Sequence, residues 1–113
     1  MNFIPVNSPL ITNEDAKCVF KTVKSGWISS SGKNIKKFEQ NLSKFVNRKF
    51  GCAVSNGTAA LEIAVKSLDL KKNDEIIIPS FTIISTANSI IKNNLKPVLV
   101  DSDLSTWNIK ISD

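Results

Sequence analysis

The chain has 113 residues, 42% hydrophobic and 22% charged, which suits one small globular domain with a real core and argues against disorder. It contains no histidine, which removes the commonest general base, the Ser-His and Cys-His nucleophile pairs and most zinc chemistry; no metal site is expected. The net charge is +5, but the lysines are spread along the chain and Arg48 is the only arginine, so solvated helix faces are expected rather than a nucleic-acid surface.

Residues 1–10 read as extended, because Pro5 and Pro9 block a helix. Thr12 stands three residues before Asp15 in capping-box form and opens a first helix to about Ser25, with Gly26 as its stop. A loop over 27–32 follows. Ile35, Phe38, Leu42 and Phe45, spaced by three and four, mark a second helix. Cys52, Ala53 and Val54 form a short apolar run that reads as a strand. Residues 58–68 read as a helix, 71–74 as a polar turn and 75–78 as a buried strand. Ile83, Ile84, Ala87, Ile90 and Ile91 mark another helix, and residues 97–100 a third strand.

The order over 51–113 is β-α-β-α-β, which calls for parallel pairing with crossover helices. Residues 1–50 supply an N-terminal arm and the two first helices. Three parallel strands with so little around them point to one part of a larger assembly. Cys18 and Cys52 fit neither a metal site nor a disulfide framework. They read as small buried residues of a reducing compartment. No apolar run approaches the roughly 20 residues of a membrane span and no signal peptide is read, so a cytoplasmic protein is expected.

The chemistry concentrates at Asn56-Gly57-Thr58. A strand that ends on a polar turn and opens a helix points several backbone N–H groups at one spot. The helix dipole adds positive potential there, Gly57 lets the backbone approach an anion, and the Thr58 hydroxyl can donate. The same residue types also suit ordinary capping of a βα turn. Neither a Walker sequence nor a G-x-G-x-x-G is present. Asp101 and Asp103 offer a carboxylate pair but stand just past a strand end, where Asp forms turns. Trp107 reads as a packing residue.

Six short segments then carry a resemblance, in order over nearly the whole chain. They are Ser25-Gly26-Trp27-Ile28-Ser29-Ser30, Phe38-Glu39, Ser55-Asn56-Gly57-Thr58-Ala59-Ala60-Leu61, Asp74-Glu75-Ile76-Ile77-Ile78-Pro79-Ser80-Phe81-Thr82, Pro97-Val98-Leu99-Val100-Asp101 and Thr106-Trp107-Asn108. The chain resembles the N-terminal portion of the DegT/DnrJ/EryC1/StrS sugar aminotransferases, fold type I enzymes that use pyridoxal 5′-phosphate. The Val100-Asp101-Ser102-Asp103 and Thr106-Trp107-Asn108 pieces look like the perosamine-synthase branch, which aminates nucleotide-linked 4-keto-6-deoxy sugars.

The resemblance implies that Asn56, Gly57 and Thr58 hold the cofactor phosphate and that Ile83 lies against its ring, where many relatives have an aromatic residue. Ile83 also suits the core of its own helix. Trp27, Ser29 and Ser30 would contribute to a nucleotide-sugar pocket, although Trp27 equally suits packing on the core. An amino acid would be the amino donor, and a homodimer or a missing C-terminal half would complete the site. No lysine here matches the family's Schiff-base motif, and its pyridine-binding aspartate also lies downstream. No catalytic residue is therefore expected in this chain, and the chain alone is expected to be inactive. The alternative is a non-catalytic module that binds phosphate or a partner.

Overall fold

Helix α1, Asn13–Lys24, starts where the capping box expects. The Asp15 N–H donates to Thr12 Oγ1 at 3.2 Å, and the Thr12 N–H donates back to Asp15 Oδ2 at 2.8 Å. Gly26, at φ 74°, takes the left-handed conformation that ends the helix, and its N–H reaches Val23 O at 3.0 Å. Helix α2, Lys33–Phe45, is tied to α1 by the Asn34 amide donating to Thr22 Oγ1. It ends through Asn47, at φ 51°, with the Arg48 N–H closing on Ser43 O at 2.7 Å. The computed structural model describes residues 3–5 and 7–111. Of the extended stretch expected over 1–10, residues 1, 2 and 6 lie outside these. The other residues carry neither helix nor strand.

The apolar stripes of the two helices form as their spacing requires, yet they stay exposed. Val19, Phe20 and Val23 of α1 and Phe38, Leu42 and Phe45 of α2 all face solvent. Cys18 and Cys52 are exposed free thiols, which corrects the expectation that they are buried. None of the residues of α1 is buried.

The chain then returns along α2. Glu39 Oε1 accepts the Ala53 N–H at 2.9 Å. Gly51 comes so close that a Cβ there would lie 2.8 Å from the Glu39 carbonyl oxygen. This explains why the strand expected over 52–54 is absent. A three-residue strand is held only by a neighbour's ladder, and here the Ala53 N–H is spent on a side chain. The expected three-stranded sheet is therefore two-stranded among the described residues.

Helix α3, Gly57–Lys66, is followed by strand β1, Glu75–Pro79, helix α4, Ile84–Lys92, and strand β2, Lys96–Val100. β1 and β2 pair in parallel, with Ile77 opposite Val98 and Ile78 opposite Leu99. Parallel neighbours need a crossover, and α4 provides it. Ile78, Ile90 and Leu95 form the buried core, with Val65, Ile76 and Ala87 packed around it. The α3–α4 contact is pinned by polar groups. The Asn93 amide donates across to Glu62 O at 3.2 Å, and Lys92 pairs with Glu62; the same amide also donates to Ser89 O at 2.8 Å within the end of α4.

Asn94 (φ 60°) and Asn73 (φ 72°) take left-handed conformations, and the Asn73 N–H bonds Asn94 O at 2.9 Å. Asparagine tolerates that region better than other residues with a Cβ, so both turns are tight without glycine. The sheet is covered unevenly. Paired residues point to the same face, yet Ile78 is buried while its neighbour Leu99 is 65% exposed. On the other face Ile77 is 63% exposed.

By contacts the chain forms two compact units, Met1–Ala53 and Val54–Asp113. The α/β class and the parallel crossover agree with the sequence reading. No helix among the described residues is long and apolar enough to cross a membrane.

Candidate functional site

In the second unit, Asn56 stands as N-cap of α3. Its Oδ1 accepts the Ala59 N–H at 2.9 Å, and its main-chain oxygen accepts the Ala60 N–H at 3.1 Å. The Asn56 side-chain oxygen is thus spent on the helix. Its amide donates to Ser55 Oγ at 3.3 Å. Of the first-turn donors that a helix cannot satisfy itself, the Ala59 N–H is thus taken by Asn56, while those of Gly57 and Thr58 have no partner among the described residues. A Cβ on Gly57 would meet nothing within 4 Å, so the space beside the helix start is open. No acidic residue stands in the first turn of α3 or α4, so nothing there opposes a bound anion.

Thr58 does not stand alone. Its Oγ1 lies 2.9 Å from Ser85 Oγ, a contact between the first turns of α3 and α4. Sequence reading passed over Ser85. The only signal for it was a hydroxyl residue just after the β1–α4 turn, and the contact spans 27 positions. Two unsatisfied N–H groups, a hydroxyl pair with one proton left to give and an open approach make a donor set that fits a phosphate dianion.

Ile83 is the N-cap of α4, extended at φ −66° and ψ 138°, and 68% exposed. It is not a core residue of its helix, because the helix begins one residue later. Its aliphatic face is free, two residues from Ser85.

The first unit contains the other expected residues. The Trp27 side chain is 62% exposed, which corrects the expectation that it packs on the core. Its N–H reaches Ser25 Oγ at 3.4 Å. An open cavity of about 500 Å³ between α1 and the start of α2 is lined by Trp27, Ser29, Cys18, Lys21, Thr22 and Lys33, among others. Ser29 is part of that wall and Ser30 is not. The loop and the α3 turn belong to separate units.

Asp101 and Asp103 serve turns. Asp101 Oδ1 accepts the Ser102 N–H at 2.8 Å. Asp103 Oδ1 accepts the N–H groups of Ser105 at 3.0 Å and Thr106 at 2.9 Å, together with both their hydroxyls. The turn joins an antiparallel bridge between Ser102 and Ile109. Beyond it Trp107, at φ 59°, sets its ring 5.1 Å from that of Phe81.

The Ser105 hydroxyl first, then the Thr106 and Ser105 N–H groups, hold the Asp103 carboxyl down from its ordinary 3.8 to about 2. A carboxyl with a depressed pKa stabilises the folded turn fully above its ordinary value, and that support fades as pH falls toward the folded one. The amide resonances of Ser105 and Thr106 are expected to titrate with a midpoint near 2 and to show no transition at 3.8. A midpoint near 3.8 would show that the turn does not hold the charge.

This α/β arrangement is that of sugar-modifying enzymes that carry pyridoxal phosphate. The structure superposes on Escherichia coli GDP-4-keto-6-deoxy-D-mannose-3-dehydratase with bound hydrated pyridoxal phosphate. The TM-score is 0.84 at 27% identity, over 96% of this chain and 29% of that one. A sequence profile of the DegT/DnrJ/EryC1/StrS aminotransferase family matches residues 9–113, and the chain belongs to that family.

GDP-perosamine synthase of Escherichia coli O157:H7 is 38% identical over 113 residues, all of this chain and 31% of that protein. The spore coat polysaccharide biosynthesis protein SpsC of Bacillus subtilis is 40% identical over 108 residues, 96% of this chain and 28% of that protein. The chain thus spans about three tenths of the length of these relatives.

Proposed function

We propose that this chain is the N-terminal portion of a pyridoxal-phosphate-dependent aminotransferase of nucleotide-linked keto sugars, working in amino-sugar and polysaccharide biosynthesis. The carrying observation is the start of α3, where the free N–H groups of Gly57 and Thr58 stand at the open space beside Gly57, with the part-buried Thr58–Ser85 hydroxyl pair next to them. The two N–H groups and the Thr58 hydroxyl would hold the cofactor's 5′-phosphate, with Asn56 fixing the turn and Ile83 offering an aliphatic surface to the ring. When bound, the cofactor supplies an electron sink for chemistry at the substrate amine. Residues of this chain anchor it and supply no proton-shuttling lysine.

The cavity beside Trp27 and Ser29 has the size and mixed lining of a small-molecule site, and we assign it to the nucleotide sugar. Ser30, one residue on, would act through the loop. An amino acid would be the donor. A homodimer, or further polypeptide of the same fold, would cover the exposed Ile77 and Leu99 faces of the sheet. The same fold carries a 3-dehydratase, so the reaction type rests on the aminotransferase relatives.

Pyridoxamine 5′-phosphate, which has no aldehyde to react with surface lysines, is the probe for this reading. In 1H–15N NMR of the chain it is expected to shift the Gly57 and Thr58 amides in a saturable way, whereas pyridoxamine leaves them in place. The chain alone is expected to show no transamination of a nucleotide-linked 4-keto sugar with glutamate. Equal shifts with both ligands would sink the phosphate assignment, and turnover by the chain alone would sink the division of labour.

A further inference from the structure

The Thr58–Ser85 contact assigns a task to a residue outside the family resemblance. A hydroxyl has one proton to give and two lone pairs to accept with. In a pair 2.9 Å apart one hydroxyl donates to the other, and the acceptor keeps its own proton free. If Thr58 donated, its proton would be turned away from the open space at the start of α3. If Ser85 donates, the Thr58 proton is released toward that space, beside the free N–H groups of Gly57 and Thr58.

A phosphate dianion selects the second arrangement, because it gains a charge-assisted hydrogen bond only there. Chained hydrogen bonds also strengthen one another, so a donor behind Thr58 makes its hydroxyl the better donor in front. Ser85 sits on α4, and α4 is packed against α3 through Asn93, Lys92 and Glu62. The spacing of the two hydroxyls is thereby set by the fold.

We infer that Ser85 is a positioning residue for the cofactor phosphate: it donates to Thr58 Oγ1 and directs the Thr58 hydroxyl at the anion. This rests on the reading of the α3 start as the phosphate site. It deepens that reading by placing the control of the donor on the neighbouring helix.

The test is a double-mutant cycle on the full chain, read as affinity for pyridoxamine 5′-phosphate from the Gly57 and Thr58 amide shifts. Ser85→Ala is expected to weaken binding about threefold to tenfold, the effect of one lost hydrogen bond. Ser85→Thr, which keeps the hydroxyl, is expected to bind as the parent does. Thr58→Val is expected to cost at least as much as Ser85→Ala, and the double variant no more than Thr58→Val alone.

Losses that add would overturn the inference, since Ser85 would then touch the anion itself. An unchanged affinity in Ser85→Ala would overturn it while leaving the phosphate site standing. Equal response of the parent chain to pyridoxamine and its phosphate would overturn both. Thermal midpoints of all variants separate a lost donor from a lost fold. Should Ser85→Ala unfold, Ser85→Cys fills the same space with a weak donor and carries the same comparison.

Discussion

Replacing Ile90 with alanine is expected to remove most of the stability of the unit Val54–Asp113, with amide protection in α3, α4, β1 and β2 falling together. Ile90 is 1% exposed and is the largest fully buried side chain among the described residues. It clusters with Ile78 and Leu95, and these three are the only buried apolar residues among those described. Truncating a buried isoleucine to alanine costs about 2–5 kcal/mol, part from lost transfer energy and part from the cavity left behind. Whole domains are stable by only about 5–15 kcal/mol, and a unit with so small a core stands at the lower end. Ile91, its neighbour, is 56% exposed, so Ile91→Ala is expected to change stability by less than about 1 kcal/mol. Hydrogen exchange and urea titration of both variants check this. Equal stability of the two would place the core elsewhere.

What the sequence makes legible here is local, and what it hides is pairing at a distance. The Thr12–Asp15 capping box, the Gly26 stop and the Asp103 turn each depend on residues within a few positions, and each forms as read. The crossover from β1 through α4 to β2 is also local enough to read, because continuous isoleucine and valine runs flank an amphipathic helix.

The residues 52–54 deceive for the opposite reason. Their apolar run is compatible with a strand, but a strand is made by its partner, and Glu39 takes the Ala53 N–H first. Cys18 and Cys52 likewise read as buried from residue type, whereas burial depends on what is packed above them. Ile83 shows how one position changes a role: it shares the apolar spacing of α4 but caps the helix and stays exposed. Asn56-Gly57-Thr58 was legible as a donor cluster because capping geometry is local. Ser85 was not, because its meaning comes from a hydroxyl on another helix.

Gly57→Val is expected to abolish phosphate-dependent binding of pyridoxamine 5′-phosphate while leaving the fold intact. The fold has no steric need for glycine at this position. A Cβ would meet nothing within 4 Å, and Gly57 does not adopt a positive φ. A side chain at the first position of α3 therefore enters empty space, and the change in helix propensity is only a few tenths of a kcal/mol either way. An anion that accepts from the Gly57 and Thr58 N–H groups must come within about 3 Å of both nitrogens. At that range the valine Cβ, about 2.5 Å from the nitrogen of residue 57, and the two methyl groups beyond it crowd the same space.

The loss of both N–H contacts to a charged acceptor is expected to reduce affinity a hundredfold or more, at about 1.5–3 kcal/mol for each hydrogen bond. Gly57→Ala adds one carbon instead of three and is expected to fall between parent and Gly57→Val. The readout pairs affinity with the thermal midpoint, which is expected to stay within a few degrees of the parent in both variants. If Gly57→Val bound the phosphate as well as the parent does, the anion would have to sit elsewhere, and the start of α3 would be an ordinary capped helix. If it unfolded, the open space beside Gly57 would be the fold's own requirement, and the glycine would serve structure first.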